Sequence, residues 1–271
     1  KTMLENVRAK TPLVHNITNY VTVNDVANVL LAAGGSPIMS DDADDVEDIT
    51  SICGGLNINI GTLNKNTIPS MFLAGKKANE LGHIVLLDPV GAGASRLRTD
   101  TANRLMQEVR FDAVRGNISE IKTLCTGSGS TKGVDADAVD AVTEANLDDG
   151  VQLVKTFAQR AGCIVAVTGA IDLVSDGERC WCIRNGRAEM SRITGTGCQL
   201  SALMTAFLVA NPDHKLAAAA AAVCMMGLAG EIGWANMQPG DGNSTYRNRI
   251  IDAIFNMTGD ALEEGAKYEL R

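Results

Sequence analysis

The residues best placed to do chemistry lie in Ile193-Thr194-Gly195-Thr196-Gly197-Cys198, where two glycines bracket a threonine. A run without glycine or proline follows as far as Ala210, and Asn211-Pro212 stops it, so the stretch reads as a glycine turn feeding a helix. Glycine lets backbone approach a ligand closely. The first turn of a helix leaves N–H donors without internal partners, and the helix dipole places partial positive charge at the same end. Together these make an anion site with the Cys198 thiol at its mouth. Phosphoryl transfer is the chemistry that fits.

Further polar residues close a series of short apolar runs. They are His15-Asn16, Ser36 to Met39, Asn59 to Thr62, Asp88, Arg115 to Glu120 and Thr168-Gly169. Asp41 to Asp48 holds six acids in eight residues, which reads as a solvated helix start that complements the dipole, not as a metal cluster. Gly127 to Gly133 has the glycine and serine content of a phosphate loop. It lacks a Gly-Lys-Ser/Thr ending and a preceding strand, so it reads as a surface loop.

The runs that position these residues alternate between strand and helix. Strands are expected at Pro12 to Ile17, Ser36 to Met39, Leu56 to Ile60 (alternating, with one wet face), His83 to Asp88, Phe111 to Arg115 and Cys163 to Val167. Helices are expected at Val23 to Ala33 and from about Pro69, as a first helical position, to Leu81. Ile171 to Arg187, turning at Asp176-Gly177, reads as an antiparallel hairpin. No repeat, linker or composition break interrupts the series. The expectation is one α/β domain over residues 1–271, with three α/β/α layers around a mainly parallel sheet. Ligands of such sheets bind beyond the carboxyl ends of the strands, where every polar cluster above falls.

Composition narrows the function. Hydrophobic residues make up 45% and charged residues 21% of 271, which describes a globular protein, and a net charge of −8 argues against a nucleic-acid surface. Seven cysteines, odd in number and mostly in apolar runs, read as reduced thiols, with Cys180 and Cys182 expected on opposite strand faces and not as a metal pair. Lys1 to Lys10 shows no apolar signal core, and Leu216 to Gly230 is shorter than a membrane span. A cytoplasmic enzyme without membrane or nucleic-acid partners is expected.

Taken in order and spacing, Pro12 to Asn19, Ser36 to Met39, Asn59-Ile60-Gly61-Thr62-Leu63, Asp88 to Gly93, Arg115-Gly116-Asn117 and Thr194 to Cys198 resemble the hydroxyethylthiazole kinase family of the ribokinase-like clan. The resemblance covers essentially the whole chain. It implies ATP- and Mg²⁺-dependent phosphorylation of the primary alcohol of a methylated hydroxyethylthiazole, giving the thiazole phosphate used in thiamine synthesis or salvage. A homotrimer with active sites between subunits is implied as well. Carried over by position, Met39, Gly195, Asn19, Pro37 and Gly61 border the thiazole alcohol, and Arg115, Asn117, Thr168 and Gly169 border ATP. Glu120 and Asp88 fall to Mg²⁺, and Gly240-Asp241-Gly242 falls beside the adenine. Gly195, Thr196, Gly197 and Cys198 form the catalytic turn. Much of the clan has Asp where this chain and the thiazole kinases have Cys198, so a thiol replaces the expected base.

Three other readings differ by discriminating features. A sibling kinase for hydroxymethylpyrimidine or pyridoxal would share the whole scaffold and differ only in the alcohol accepted. A non-catalytic thiazole or nucleotide binder would explain the missing acid at position 198 but not the presence of Arg115, Asn117 and Glu120. A nicotinamide dehydrogenase, suggested by the sheet, would need a glycine fingerprint after the first strand and a ribose-binding acid about 20 residues on, and both are lacking.

Overall fold

The computed structural model describes residues 1–126 and 141–271, so the loop Gly127 to Gly133 lies outside the described residues. Among the described residues nine strands form one sheet: β1 (Leu13–Ile17), β2 (Ser36–Met39), β3 (Gly55–Asn59), β4 (Ile84–Asp88), β5 (Ala113–Asn117), β6 (Ile164–Thr168), β7 (Asp172–Ser175), β8 (Cys180–Ile183) and β9 (Tyr268–Leu270). Their order is β2-β1-β3-β4-β5-β6-β7-β8-β9. Pairing is parallel from β2 through β6 and antiparallel from β6 through β9. The winding reverses at β1, which opens a crevice beyond the carboxyl ends of β1 and β3.

Helices cover both faces. On one side lie α3 (Val46–Ile52), α4 (Thr67–Leu81), α5 (Arg96–Glu108), α6 (Ile118–Thr126) and α7 (Leu147–Ala161), packed on Leu56, Ile58, Val85, Leu87 and Val165. On the other, α8 (Thr196–Ala210) and α9 (Lys215–Ala235) pack on Leu86, Ala113, Ile164 and Ala166. They are joined there by α1 (Thr2–Lys10), α2 (Val23–Ala33), α10 (Asn243–Asn256) and α11 (Gly259–Gly265). Burial on both faces explains the continuous apolar runs of the central strands.

Several expectations need correction. The second face of β3 is not wet: Asn57 and Asn59 are buried, because α8, some 140 residues on in the chain, covers that side with Thr205 and Val209 against Gly55. Pro69 is the third helical residue of α4, not the first. β5 starts two residues later than expected and carries Asn117 as its last residue, with α6 beginning at once. Cys180 and Cys182 share one face of β8, as a strand period of two requires, and both join the α7-side core. The apolar stretch from Pro212 to Ala235 has the length and composition of a membrane span, longer than its sequence suggested, yet 78% of that window is buried inside the protein. It is a core helix.

Candidate active site

The site is built around the start of α8. Gly195 takes a left-handed φ of +83°, and a Cβ there would overlap the methyl group of Thr22. A Cβ on Gly197 would stand 2.5 Å from the Arg115 guanidinium. Both glycines are therefore demanded by close approach. The first α8 amide to find a helical carbonyl is that of Gln199, bonded to Gly195 at 2.9 Å. The amides before it lie at the positive end of the dipole without an i−4 partner.

Beneath this turn lie Asp88 and Thr168, the last residues of β4 and β6, and Arg115, which reaches up from the middle of β5. Arg115 donates to Asp88 Oδ2 at 3.1 Å and to Thr168 Oγ1 at 2.8 Å. Burial opposes the guanidinium charge, but Asp88 and Glu120 more than offset it and hold Arg115 above its usual range. Burial also pushes Asp88 up to about 6, against the pull of Arg115. Arg115 Nε and Asp88 Oδ1 are buried without a partner.

Asn117 and Glu120 answer each other across the first turn of α6. Asn117 Oδ1 accepts from the Glu120 N–H at 2.8 Å, while Glu120 Oε2 accepts from the Asn117 N–H at 2.8 Å. That is the reciprocal geometry of a capping box. Glu120 Oε1 also accepts from the Gly91 N–H at 2.9 Å, which ties the β4–α5 loop to β5. The Asn-x-x-Glu spacing thus has a structural reason of its own. Each carboxylate oxygen keeps a second lone pair.

Cys198 lies at the crevice between β1 and β3. Its Sγ accepts from Asn19 Nδ2 at 3.0 Å. Burial and the Asp88 charge push the thiol up, although Asn59, Arg115 and Asn19 draw it back. It is a neutral thiol near pH 7. Asn19 is fully engaged: Nδ2 also reaches Asn59 Oδ1 at 3.3 Å, and Oδ1 accepts from Thr22 N and Oγ1 at 3.2 and 3.0 Å. Gly61 uses its N–H on Asn59 Oδ1 at 2.8 Å and its carbonyl on Arg98 at 2.8 Å. Met39 is partly buried against the small core of Val14, Val26, Leu30 and Cys198. Pro37 lies two positions behind it on the edge strand, paired with Val14.

A pocket of about 620 Å³ extends from Arg115, Thr168, Gly169, Thr196 and Gly197 toward Val223 and Met226 of α9 and Met190. One end carries Arg115 and Thr168, and the other combines the apolar Val223, Met226 and Met190 with Asn185, Arg187 and Ser191. Asp172, the one carboxylate among its described lining residues, accepts from the Gly169 N–H at 2.8 Å. Burial pushes it up to about 7. Sequence reading missed Asp172, Asn185, Met190 and Ser201. Only Asp172, close behind Thr168-Gly169 at the start of the expected hairpin, carried any signal. Gly240-Asp241-Gly242 is not on the pocket wall; Asp241 instead binds Arg249 at 3.0 Å and the Gln238 N–H at 2.9 Å. Among the described residues no three His, Cys, Asp or Glu cluster closely enough to form a protein-only metal cage.

The family model described as the hydroxyethylthiazole kinase family matches residues 4–260. A hydroxyethylthiazole kinase of Clostridium acetobutylicum is 57% identical over 269 residues, covering 99% of this chain and 98% of that protein. The solved structure of a hydroxyethylthiazole kinase protein from Pyrococcus horikoshii OT3 superposes with a TM-score of 0.88 at 33% identity, over 100% of this chain and 98% of the other. A ribokinase-like superfamily protein from Enterococcus faecalis superposes at a TM-score of 0.61 and 11% identity, over 97% and 89% of the two chains, and so shares the fold.

Proposed function

The chain belongs to the hydroxyethylthiazole kinase family, and from that premise we propose that it transfers the terminal phosphoryl group of ATP to the primary alcohol of methyl-hydroxyethylthiazole. The product is the thiazole phosphate of thiamine synthesis or salvage. The observation that carries this reading is a convergence at the first turn of α8. A cationic pocket meets that turn from one side, and the Cys198 crevice meets it from the other.

In this reading Arg115 and Thr168 hold the phosphates, with Gly169 and Asn117 bordering them. The first amides of α8 receive the migrating group, and the end of the pocket at Val223 and Met226 takes the base. The alcohol lies against Met39, Gly195 and Cys198. Asn19 and Gly61 shape that crevice through Asn59 and do not reach the substrate by free hydrogen-bonding groups. As the alcohol oxygen bonds to phosphorus, the bond from phosphorus to the bridging oxygen breaks, ADP leaves with that bond's electron pair, and the hydroxyl proton passes to an oxygen of the transferred phosphoryl group. Cys198, a neutral thiol, accepts from Asn19 and orients the hydroxyl instead of deprotonating it in advance.

Mg²⁺ fits the donors present: a buried carboxylate oxygen of Asp88 has no protein partner, and Glu120 retains lone pairs. Mg²⁺ takes one or two carboxylates with waters and phosphates, and when bound it neutralises charge on the transferring group. The chain acts as one kinase domain over residues 1–271 in a reducing cytoplasm, assembled as a homotrimer. Tyr20 and Val21, next to Asn19, are 76% and 59% exposed and offer an apolar rim that a neighbouring subunit would cover beside the crevice.

A coupled assay of ADP release with the thiazole alcohol, hydroxymethylpyrimidine and pyridoxal, with and without Mg²⁺, tests the reading. Turnover confined to the thiazole alcohol and dependent on Mg²⁺ is expected. Preference for either other alcohol, or no turnover with any, overturns it. A sedimentation measurement giving a monomer would remove the trimer.

A further inference from the structure

Asp88 is held by one oxygen only. Its Oδ2 accepts from Ser201 Oγ at 2.7 Å, Asn59 Nδ2 at 3.1 Å and Arg115 Nη1 at 3.1 Å, while the equally buried Oδ1 accepts from nothing. Leaving a buried acceptor without a partner is unfavourable, so three donors crowded onto the other oxygen impose an orientation that the fold would otherwise avoid.

Neither neutral donor has a better alternative. The Ser201 hydroxyl has one proton and two acceptors in reach, Asp88 at 2.7 Å and the Gly197 carbonyl at 3.3 Å, and the shorter, charge-assisted bond takes it. Asn59 Oδ1 is fixed by the Gly61 N–H at 2.8 Å and by Asn19 at 3.3 Å, so its amide cannot flip and its NH₂ must face Asp88. Arg115 differs, because phosphate oxygens compete for its guanidinium. Once nucleotide is bound, Ser201 and Asn59 still hold the carboxylate.

Building on the kinase reading above, we propose that Ser201 and Asn59 are positioning residues which turn Asp88 so that Oδ1 faces the divalent cation of the nucleotide complex. Ser201 reaches Asp88 from α8, so the helix that carries the anion turn also aims the carboxylate.

The test is Mn²⁺ binding to the intact protein with ADP, followed by electron paramagnetic resonance, beside Mg²⁺-dependent turnover. Ser201→Ala and Asn59→Ser are each expected to weaken Mn²⁺ binding by about tenfold and to raise the half-saturating Mg²⁺ concentration in step. In Ser201→Ala the KM for the thiazole alcohol should stay within about twofold, whereas Asn59→Ser also releases Gly61 and Asn19 and is read by its Mn²⁺ affinity. Asp88→Asn separates this proposal from the reading beneath it. If Asp88→Asn weakens Mn²⁺ binding while Ser201→Ala and Asn59→Ser do not, the positioning role is overturned and the kinase reading stands. If Asp88→Asn binds Mn²⁺ like the wild type, the metal role of Asp88 fails and the positioning role fails with it. A fall in melting temperature in either positioning variant, with Mn²⁺ affinity unchanged, marks a merely structural part and also overturns the proposal.

Discussion

Helices α8 and α9 are both apolar and both largely buried, yet only one opens onto the chemistry. Cys198 to Leu208 of α8 are all buried, as are Ala222 to Gly230 of α9. Their beginnings differ. α8 starts on a left-handed glycine with Arg115 against its second residue, while α9 starts from the turn Pro212–His214, and its first residue Lys215 binds Asp112 at 2.6 Å. A desolvated carboxylate is associated with each, fully buried for Asp88 and half-buried for Asp172. Asp88 beneath α8 has three donors on one oxygen, whereas Asp172 has a single backbone donor, and its charge adds to the burial that raises the Cys224 thiol of α9. Function thus follows from what stands at a helix end, not from the apolar body behind it.

Substitutions that separate body from end put this contrast at risk. The largest energetic effect should come from the body: Phe207 in α8 is fully buried, and Phe207→Ala should cost about 3–5 kcal/mol. Urea unfolding should show that loss while turnover per folded molecule holds within about twofold. A collapse of turnover in the folded fraction would mean that body and end are not separable. At the end itself, Gly197→Ala places a methyl 2.5 to 2.9 Å from the Arg115 guanidinium. Displacing a phosphate-holding group by that much should lower kcat/KM about 100-fold, or about 2.7 kcal/mol, with circular dichroism unchanged. Near-wild-type turnover would make the α8 turn as inert as that of α9.

The sequence was most legible at such ends. Thr194 to Cys198 read as a glycine turn into a helix, and the apolar runs closing at Asp88, Arg115 and Thr168 read as parallel strands with polar tips; those elements are present. What could not be read was cover supplied from far along the chain. The alternation of Leu56 to Ile60 says that the asparagines share a face, but whether that face meets water depends on α8. Ser201 illustrates the same limit, since nothing local marks a helical serine as the partner of a carboxylate 113 residues earlier. Asn117 and Glu120 show the reverse: the spacing was visible, but its capping geometry was read only as chemistry.

A smaller effect is expected at the thiol. Burial and Asp88 keep Cys198 protonated near neutral pH, so Cys198→Ala removes an orienting group and not a base. Turnover should fall about tenfold, about 1.4 kcal/mol, and Cys198→Asp should remain a kinase, as shown by single-turnover phosphoryl transfer. Loss below detection in both variants, with melting temperature intact, would make the thiol indispensable and shift the weight of catalysis from charge and position to proton transfer.

The smallest effect concerns the carboxylate on the α9 side, and it appears in the slope of stability with pH. Asp172 titrates at about 7 in the folded protein, above an unfolded carboxyl near ~3.9. The folded chain therefore holds a proton that the unfolded chain releases, so this group's contribution is fully present below about pH 4 and is lost as pH rises through about 7. Asp88, raised to about 6, adds a slope of the same sign that ends earlier. Asp172→Asn cannot titrate, so its urea midpoint should decline less steeply than that of the wild type as pH rises from about 4 to 7, with only the Asp88 slope left below about 6 and a nearly flat curve between about 6 and 7. Parallel curves through that interval would mean that Asp172 is already ionised in the folded protein. The two carboxylates would then differ in partners but not in proton affinity, and the contrast between α8 and α9 would rest on the helix ends alone.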